Sequence, residues 1–415
     1  MEILKNINPT VLLLATIDTK GTEALYLGKF IKTLGIEPIL IDLSIRPAAS
    51  SILSQFQWME EEKIDVSRII SLNSSKDMSS NMKTIVDSAL DIARKLVIEG
   101  RVRGVIGIGG CTGTLMISSI MQSLPFGIPK VIVSAAAAQP GLSNQFLKTS
   151  DIMLFHSVID IFGLSHHVKN ILERAAYALY AMVHGPLDAP DIDRESAIAM
   201  TMMSTCEKCA RSVQLALEKN GYHVIGFTAN GIGDRVMEDM IKNAMFKGVI
   251  DLAPGGVGEH FYGYMRDAGP DRLENAGKMG LPQIISMCGV NHITPSRSKV
   301  TLKQGARRKY DLDSFRTWIR MTPKELKHVS KIFADKLNKS RGLVKIIIPL
   351  KGWSSVDSPG SPTYDPDEDK VFIFELRRWI KSDIEIIEVN ANMEDPAFAK
   401  TIARVAYDLF VKKVL

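Results

Sequence analysis

The segment Gly107-Ile108-Gly109-Gly110-Cys111-Thr112-Gly113-Thr114 places four glycines, two hydroxyls and a thiol between an apolar run and a second, helix-patterned one. Glycines let the backbone approach a phosphate closely, consecutive N–H groups form an anion nest, and a helix beginning near Thr114 adds its positive end. Turn geometry alone accounts for one or two such glycines. The chemistry that suits these residues is phosphate binding, with Gly109, Gly110, Cys111, Thr112, Gly113 and Thr114 as candidate contacts. A second polar segment, Thr16 to Thr22, follows the first apolar run and offers a carboxylate (Asp18), a hydroxyl (Thr19) and a cation (Lys20). Neither segment reads G-x-x-x-x-G-K-[ST] or G-x-G-x-x-G, so a Walker-type NTPase and a nicotinamide dehydrogenase both lack their signatures. Asp42 ends the next apolar run, where an acidic residue either meets an adenosine ribose or simply ends a strand in solvent.

Two further glycine-bearing segments, Thr228 to Arg235 and Pro254 to His260, resemble a second polar crevice. Asn230, Arg235 and Glu259 are the side chains there most able to hold a small anionic ligand, although Gly231 and Gly233 equally suit a turn with Asp234 as helix cap. A long loop, Lys351 to Asp369, adds Ser355, Asp357 and Tyr364 as candidate contacts; structureless loops of that length are usually functional or disordered. Cys206 and Cys209 have C-x-x-C spacing at a helix start, which fits a redox pair or a coincidence. His166 and His167 follow Ser165 as a capped first turn, and the remaining histidines are scattered, so no metal site is expected. No G-x-S-x-G elbow is present.

These segments need elements to position them. Val11 to Ala15, Pro38 to Leu43, Val102 to Ile108 and Ile128 to Ser134 are continuous apolar runs separated by helical periodicity at Thr22 to Leu34, Met82 to Ile98 and Thr114 to Gln122. Strands apolar on both faces and alternating with helices predict a parallel sheet covered above and below. Residues 50–80 read as a connection with a short strand near Val66 to Ile70. A helix from Ser165 to Met182 ends at His184-Gly185-Pro186, and the alternation restarts at Ala197 after the polar stretch Leu187 to Glu195. The expectation is an α/β chain of two Rossmann-like, doubly wound domains, 1–190 and 191–415, whose final helix, Asp395 to Val411, is free to dock on either.

Composition narrows the class. A chain of 415 residues with 46% hydrophobic and 23% charged residues builds two or three ordinary globular domains. Net charge is only +5, with no basic stripe, which argues against nucleic acid. Four irregularly spaced cysteines form no disulfide framework and fit a reducing, cytoplasmic setting. No apolar run approaches the ~20 residues of a membrane span, and no signal segment is apparent.

The stretches VLLLATIDTKGTEA, GVIGIGGCTGT, FGIPKVIVS, SVIDIFGL, AGPDRLENAG and KGWSSVDSPGSPTYDPDED occur in an order that resembles the Tm-one-like ATP-binding family. Its best-known member is a plant tobamovirus-resistance protein. The resemblance implies an N-terminal domain that binds ATP, a second Rossmann-like domain, homodimerisation and a TIM-barrel partner protein akin to phosphoenolpyruvate mutases. It assigns Asp18, Thr19, Lys20, Gly109, Gly110, Gly113 and Thr114 to the nucleotide, and Asp357 with Tyr364 to an interdomain cleft. The expected function is an ATP-binding metabolic enzyme acting on a small anionic substrate in that cleft, with Mg²⁺ where phosphate is transferred. The alternative is a non-catalytic, ATP-responsive regulatory dimer. Reaction, substrate and catalytic base are not legible.

Overall fold

A strand apolar on both faces can be buried only if helices cover both sides of its sheet, and the chain builds that arrangement twice. The computed structural model describes residues 9–46, 52, 54–59, 64–65, 78–185 and 193–410. The chain divides into two compact units, Met1–Pro190 and Asp191–Leu415. The strand expected near Val66 to Ile70 and most of the polar stretch Leu187 to Glu195 lie outside the described residues.

In the first unit the strands are β1 (Thr10–Ala15), β2 (Glu37–Asp42), β3 (Ile64–Asp65), β4 (Val105–Gly109), β5 (Lys130–Ser134) and β6 (Met153–His156). They pair in the order β3-β2-β1-β4-β5-β6, every pair parallel. Alternation sends Val11, Leu13 and Ala15 into a core with the helices Ile17–Thr33 and His166–His184. Leu12 and Leu14 enter the opposite core with Met78–Ile98 and Cys111–Met121. β6 was not expected from the sequence: at four residues, partly exposed on the sheet edge, it carries too little apolar pattern to announce itself.

The second unit contains β7 (Ala197–Met202), β8 (His223–Thr228), β9 (Gly248–Asp251), β10 (Gln283–Ile285), β11 (His292–Ile293), β12 (Lys309–Asp311), β13 (Thr317–Arg320), β14 (Val344–Pro349) and β15 (Glu385–Val389). Six of them form a second parallel sheet, β15-β14-β10-β9-β7-β8, and β11-β13-β12 form a small antiparallel sheet inserted between β10 and β14. The final helix, Pro396–Phe410, belongs to this unit: Phe398, Ile402, Ala406 and Phe410 share a core with Cys209, Val213 and Leu217 of the helix Glu207–Glu218. Gly248 makes room for it, since a Cβ there would lie 2.4 Å from the Phe410 ring. Among the described residues no helix is long and apolar enough to cross a membrane.

Phe333, on the helix Pro323–Leu337, is fully buried and meets the Phe372 ring edge-on at 5.5 Å. Phe333→Ala should cost about 3–5 kcal/mol in urea unfolding of the second unit. A loss below about 1 kcal/mol would show that this core collapses around the gap.

Candidate functional site

In the first sheet the chain leaves β1 towards β2 on one side and later returns to β4 on the other. The connections from these two neighbours therefore diverge, and a crevice opens beyond their carboxyl ends, the place where open parallel sheets bind ligands. Both segments singled out in the sequence sit there. They are helix starts rather than loops: one helix begins at Ile17 directly after β1, and the other at Cys111 directly after β4. The first is interrupted at Lys20 (φ −128°, ψ 23°), so Ile17 to Thr19 form a separate turn. Gly110 offers its helix no side-chain cap, which leaves first-turn N–H groups there as donors at a positive helix end, whereas the amides of Ile17, Asp18 and Thr19 are taken by Asp42, Ser44 and the Thr16 carbonyl. The two turns are close, because a Cβ on Gly113 would lie 3.6 Å from Thr16 Oγ1.

The four glycines separate into two kinds. Gly107 and Gly109 are needed for packing: a Cβ would meet Ile117 Cγ2 at 2.5 Å in the first case and the Thr114 backbone nitrogen at 2.7 Å in the second. Gly110 has an ordinary φ of −75°, and a Cβ there would meet nothing within 4 Å among the described residues. Gly113, in the first helical turn, would make only ordinary contacts. The fold gives no reason for glycine at these two positions, and both stand where a ligand would approach the amides.

Side chains around the crevice mostly hold the two turns in place. Buried Thr114 shares a 2.7 Å hydrogen bond with Ser134 Oγ at the end of β5, and Ser134 Oγ accepts from the Ala136 amide. Asp42 is buried, and its Oδ1 accepts from the amides of Ile17 (3.2 Å) and Ser44 (2.9 Å) and from Ser44 Oγ (2.5 Å). It anchors the start of the first helix, a task different from the ribose contact considered above. Ser44 Oγ in turn accepts from the Asp18 amide at 2.8 Å. Asp18 Oδ2 accepts from the Arg46 amide at 3.3 Å, while Oδ1 is buried without a hydrogen-bond partner among the described residues. Lys20 donates to the Ile161 carbonyl and lies 3.7 Å from the Asp160 carboxylate, so its charge is directed to the segment after β6. Buried Glu23 joins it there, accepting from the Gly163 amide at 2.6 Å. Cys111, Thr112 and Thr19 are exposed. Ser44, Ser134 and Glu23 escaped the sequence reading because single polar residues at strand ends or within a helix carry no pattern.

In the second unit the matching edge is filled. A Cβ on Gly231, Gly233 or Gly255 would lie 2.8 Å from Asp267 O, 2.2 Å from Thr228 O and 2.3 Å from Gly289 O respectively, so close backbone approach accounts for these glycines. Glu259, fully buried, accepts from Arg266 Nε (3.0 Å) and Nη2 (2.8 Å). Arg272, also buried, meets Asp234 at 2.9 Å, Asp251 at 2.5 Å and Glu238 at 3.4 Å. Burial pushes Asp234 and Glu238 up, against the opposing pull of Arg272. Asn230 Oδ1 accepts from the Gly233 amide, and half-exposed Arg235 donates to Asp267. In the late loop the amide of exposed Ser355 donates to Thr205 O, and that of half-buried Tyr364 to Ser361 O. These residues do not converge on one open site within the unit.

The C-x-x-C cysteines are buried. A hydrogen bond with Cys288 and burial hold the Cys206 thiol well above its ordinary value, and burial does the same for Cys209, so neither offers the thiolate that redox exchange needs. His166 and His167 lie in an exposed first turn capped by Ser165 Oγ. Among the described residues no three His, Cys, Asp or Glu side chains are grouped to hold a metal ion.

Asp357 belongs to a buried cluster around Arg320. The guanidinium donates to Asp369 (2.5 Å), Glu368 (3.0 Å) and Asp357 (3.4 Å), and Asn291 Nδ2 bridges Asp357 and Asp369 at 2.8 and 3.0 Å. Glu368 also meets Arg308 at 2.7 Å, which leaves buried Asp357 and Asp369 to Arg320, and burial pushes Asp369 up to about 8. The folded state keeps this proton to about pH 8, whereas an unfolded Asp releases it near pH 4. Stability should therefore fall as pH rises through that window, and Asp357, Asp234 and Glu238, all raised by burial, act in the same sense. Urea unfolding of Asp369→Asn should show a shallower decline between about pH 5 and pH 8.5 than wild type. An unchanged slope would remove Asp369 as its source.

Two family descriptions match this chain in succession: the N-terminal domain of the uncharacterised protein family UPF0261 over residues 9–188 and its C-terminal domain over residues 195–410. A UPF0261 protein of Clostridium tetani is 32% identical over 408 residues, covering 98% of this chain and all of that protein. The ToMV resistance protein Tm-1(GCR237) of Solanum lycopersicum is 26% identical over 425 residues, covering 97% of this chain but 56% of the tomato protein. Among solved structures, MurG of Acinetobacter baumannii overlaps 97% of this chain and 91% of its own at 12% identity and a TM-score of 0.24, too loosely to bear on function. Matched in both halves and across the full length of its clostridial relative, the chain belongs to the UPF0261 family, among whose relatives is the tomato Tm-1 protein.

Proposed function

We propose that the first unit binds ATP at the paired helix starts after β1 and β4, and that the protein is a nucleotide-using metabolic enzyme acting on a small anionic substrate. The observation that carries this reading is Gly110: a glycine with an ordinary backbone conformation and open space where its side chain would stand, at the positive end of a helix on the sheet's switch point. In this reading the triphosphate lies against the amides of Gly110 to Gly113, with exposed Thr112 as a further donor. The resemblance to an ATP-binding family favours ATP as the nucleotide, and the uncapped helix start at Gly110 supports an anion site. Asp18 Oδ1, a buried carboxylate oxygen without a hydrogen-bond partner among the described residues, is the kind of ligand Mg²⁺ takes beside a nucleotide phosphate. Mg²⁺ there would offset charge on the phosphates.

Lys20 favours a second reading. With its ammonium on Ile161 O and Asp160, it is engaged by the chain itself. A lysine so engaged, and not directed at the phosphates, suits a regulatory role, in which bound ATP stabilises a homodimer or a surface for a TIM-barrel partner.

Titration calorimetry of the full chain with MgATP should show saturable binding that Gly110→Val weakens at least about tenfold, roughly 1.4 kcal/mol, with the thermal midpoint unchanged. Absent binding, or unchanged binding in the variant, removes the ATP site. Prolonged incubation with candidate small acids then separates the two readings: ATP turnover marks the enzyme, while intact ATP with nucleotide-dependent dimerisation marks the regulator. If Lys20 contributes charge in the reaction, Lys20→Ala should lower turnover by about tenfold or more.

A further inference from the structure

The second unit carries an open cavity of about 610 Å³ away from its filled sheet edge, lined by Phe261, Tyr262, Lys303, Arg307, Lys324 and His328 among others. That volume is in the range that holds small organic ligands. Its polar groups are unevenly committed. Arg307 is held by Glu325 at 2.6 Å, and Thr322 and Thr301 are engaged in caps with Glu325 and Gln304. Lys303 and Lys324 are exposed and have no ionic partner among the described residues. Among the described residues the uncommitted polar groups of the cavity are thus two ammonium donors, the exposed His328 ring and the Tyr262 hydroxyl, and Lys327 lines the adjoining groove along the same helix. A wall of this kind selects a ligand that is anionic and rich in acceptors.

The apolar side of the cavity is aromatic. Phe261 is 53% exposed, its ring 4.2 Å from His328 and 5.0 Å from Tyr262. A large, rigid ring left this open beside two unpaired cations presents a flat face for stacking next to a charge-binding rim. We propose that this cavity binds a small organic anion consisting of a planar ring with a phosphate or carboxylate group, the ring on Phe261 and the anion between Lys303 and Lys324. The site involves only the second unit and is independent of the proposed nucleotide site.

The test is calorimetric titration of the full chain with phenyl phosphate, benzoate, cyclohexyl phosphate and inorganic phosphate. Phenyl phosphate or benzoate should bind saturably, and the tighter of the two identifies the head group. The double variant Lys303→Ala/Lys324→Ala should weaken that ligand at least about tenfold, and Phe261→Ser about fivefold. All three residues are exposed, so thermal midpoints should stay at the wild-type value. Gly110→Val should leave this binding untouched. No saturable binding of either aromatic anion, affinity unaltered in the double variant, or inorganic or cyclohexyl phosphate binding as tightly as phenyl phosphate would each overturn the assignment.

Discussion

A strand such as β1, whose Val11 to Ala15 are buried on both faces, must send the chain back over the sheet through a helix before a parallel neighbour can pair with it. The rest of the structure depends on this constraint. It gathers every strand-to-helix junction at one edge of each sheet, and between strands whose crossovers go opposite ways it leaves a gap that no connection fills. At the β1/β4 boundary the junctions are as short as the chain permits: one residue, Thr16, separates β1 from its helix, and Gly110 alone separates β4 from the next. The short junction at Gly110 brings the uncapped amides of the second helix directly to the gap, so the proposed anion site follows from the topology.

The second unit begins with the same topology and uses it differently. Its edge receives two arginines, Arg266 and Arg272, from the segment between β9 and β10, and each finds its carboxylates already on the sheet side: Glu259 for one, Asp251, Asp234 and Glu238 for the other. Burying such groups is expensive, and their mutual attraction about offsets the desolvation rather than exceeding it. What they supply is geometry. Removing one partner would leave an uncompensated buried charge, so the arginines fix where the loops lie. This edge is held by buried ion pairs, which is the physical contrast with the uncapped helix start after β4 in the first unit.

Much of the framework was legible because burial on both faces leaves continuous apolar runs, which mark β1, β2, β4, β5, β7 and β14 without ambiguity. The short edge strand β6 and the antiparallel β11 to β13 were not, since two to four residues carry no measurable period. Site residues were legible by type but not by state. Thr114 and Asp42 stand near the crevice as the sequence suggested, yet both face inward, on Ser134 and on the Ile17 amide, and no pattern in one chain distinguishes a hydroxyl aimed at a ligand from one aimed at its neighbour. The same limit applies to glycine: Gly109 and Gly110 are adjacent and identical in sequence, and only the backbone of Thr114 separates the one that packs from the one that does not.

The insertion that produced β11 to β13 accounts for both unusual features of the second unit. Asn291 and Arg320 lie on its strands or beside them and carry the buried cluster that seals the late loop through Asp357 and Asp369. The outer part of the same segment, from Thr301 to Arg307, leans over the start of the helix Pro323–Leu337, with Arg307 clasping Glu325 and Gln304 bonded to the Tyr264 hydroxyl. One face of the insertion is thus committed to closing the sheet edge. The other cannot pack flat against a helix already capped by Thr322 and Glu325, and the space it leaves, walled by Phe261 and rimmed by Lys303 and Lys324, is the cavity. A parallel sheet whose own crevice is filled from the segment between β9 and β10 therefore gains a second concave surface from the insertion between β10 and β14.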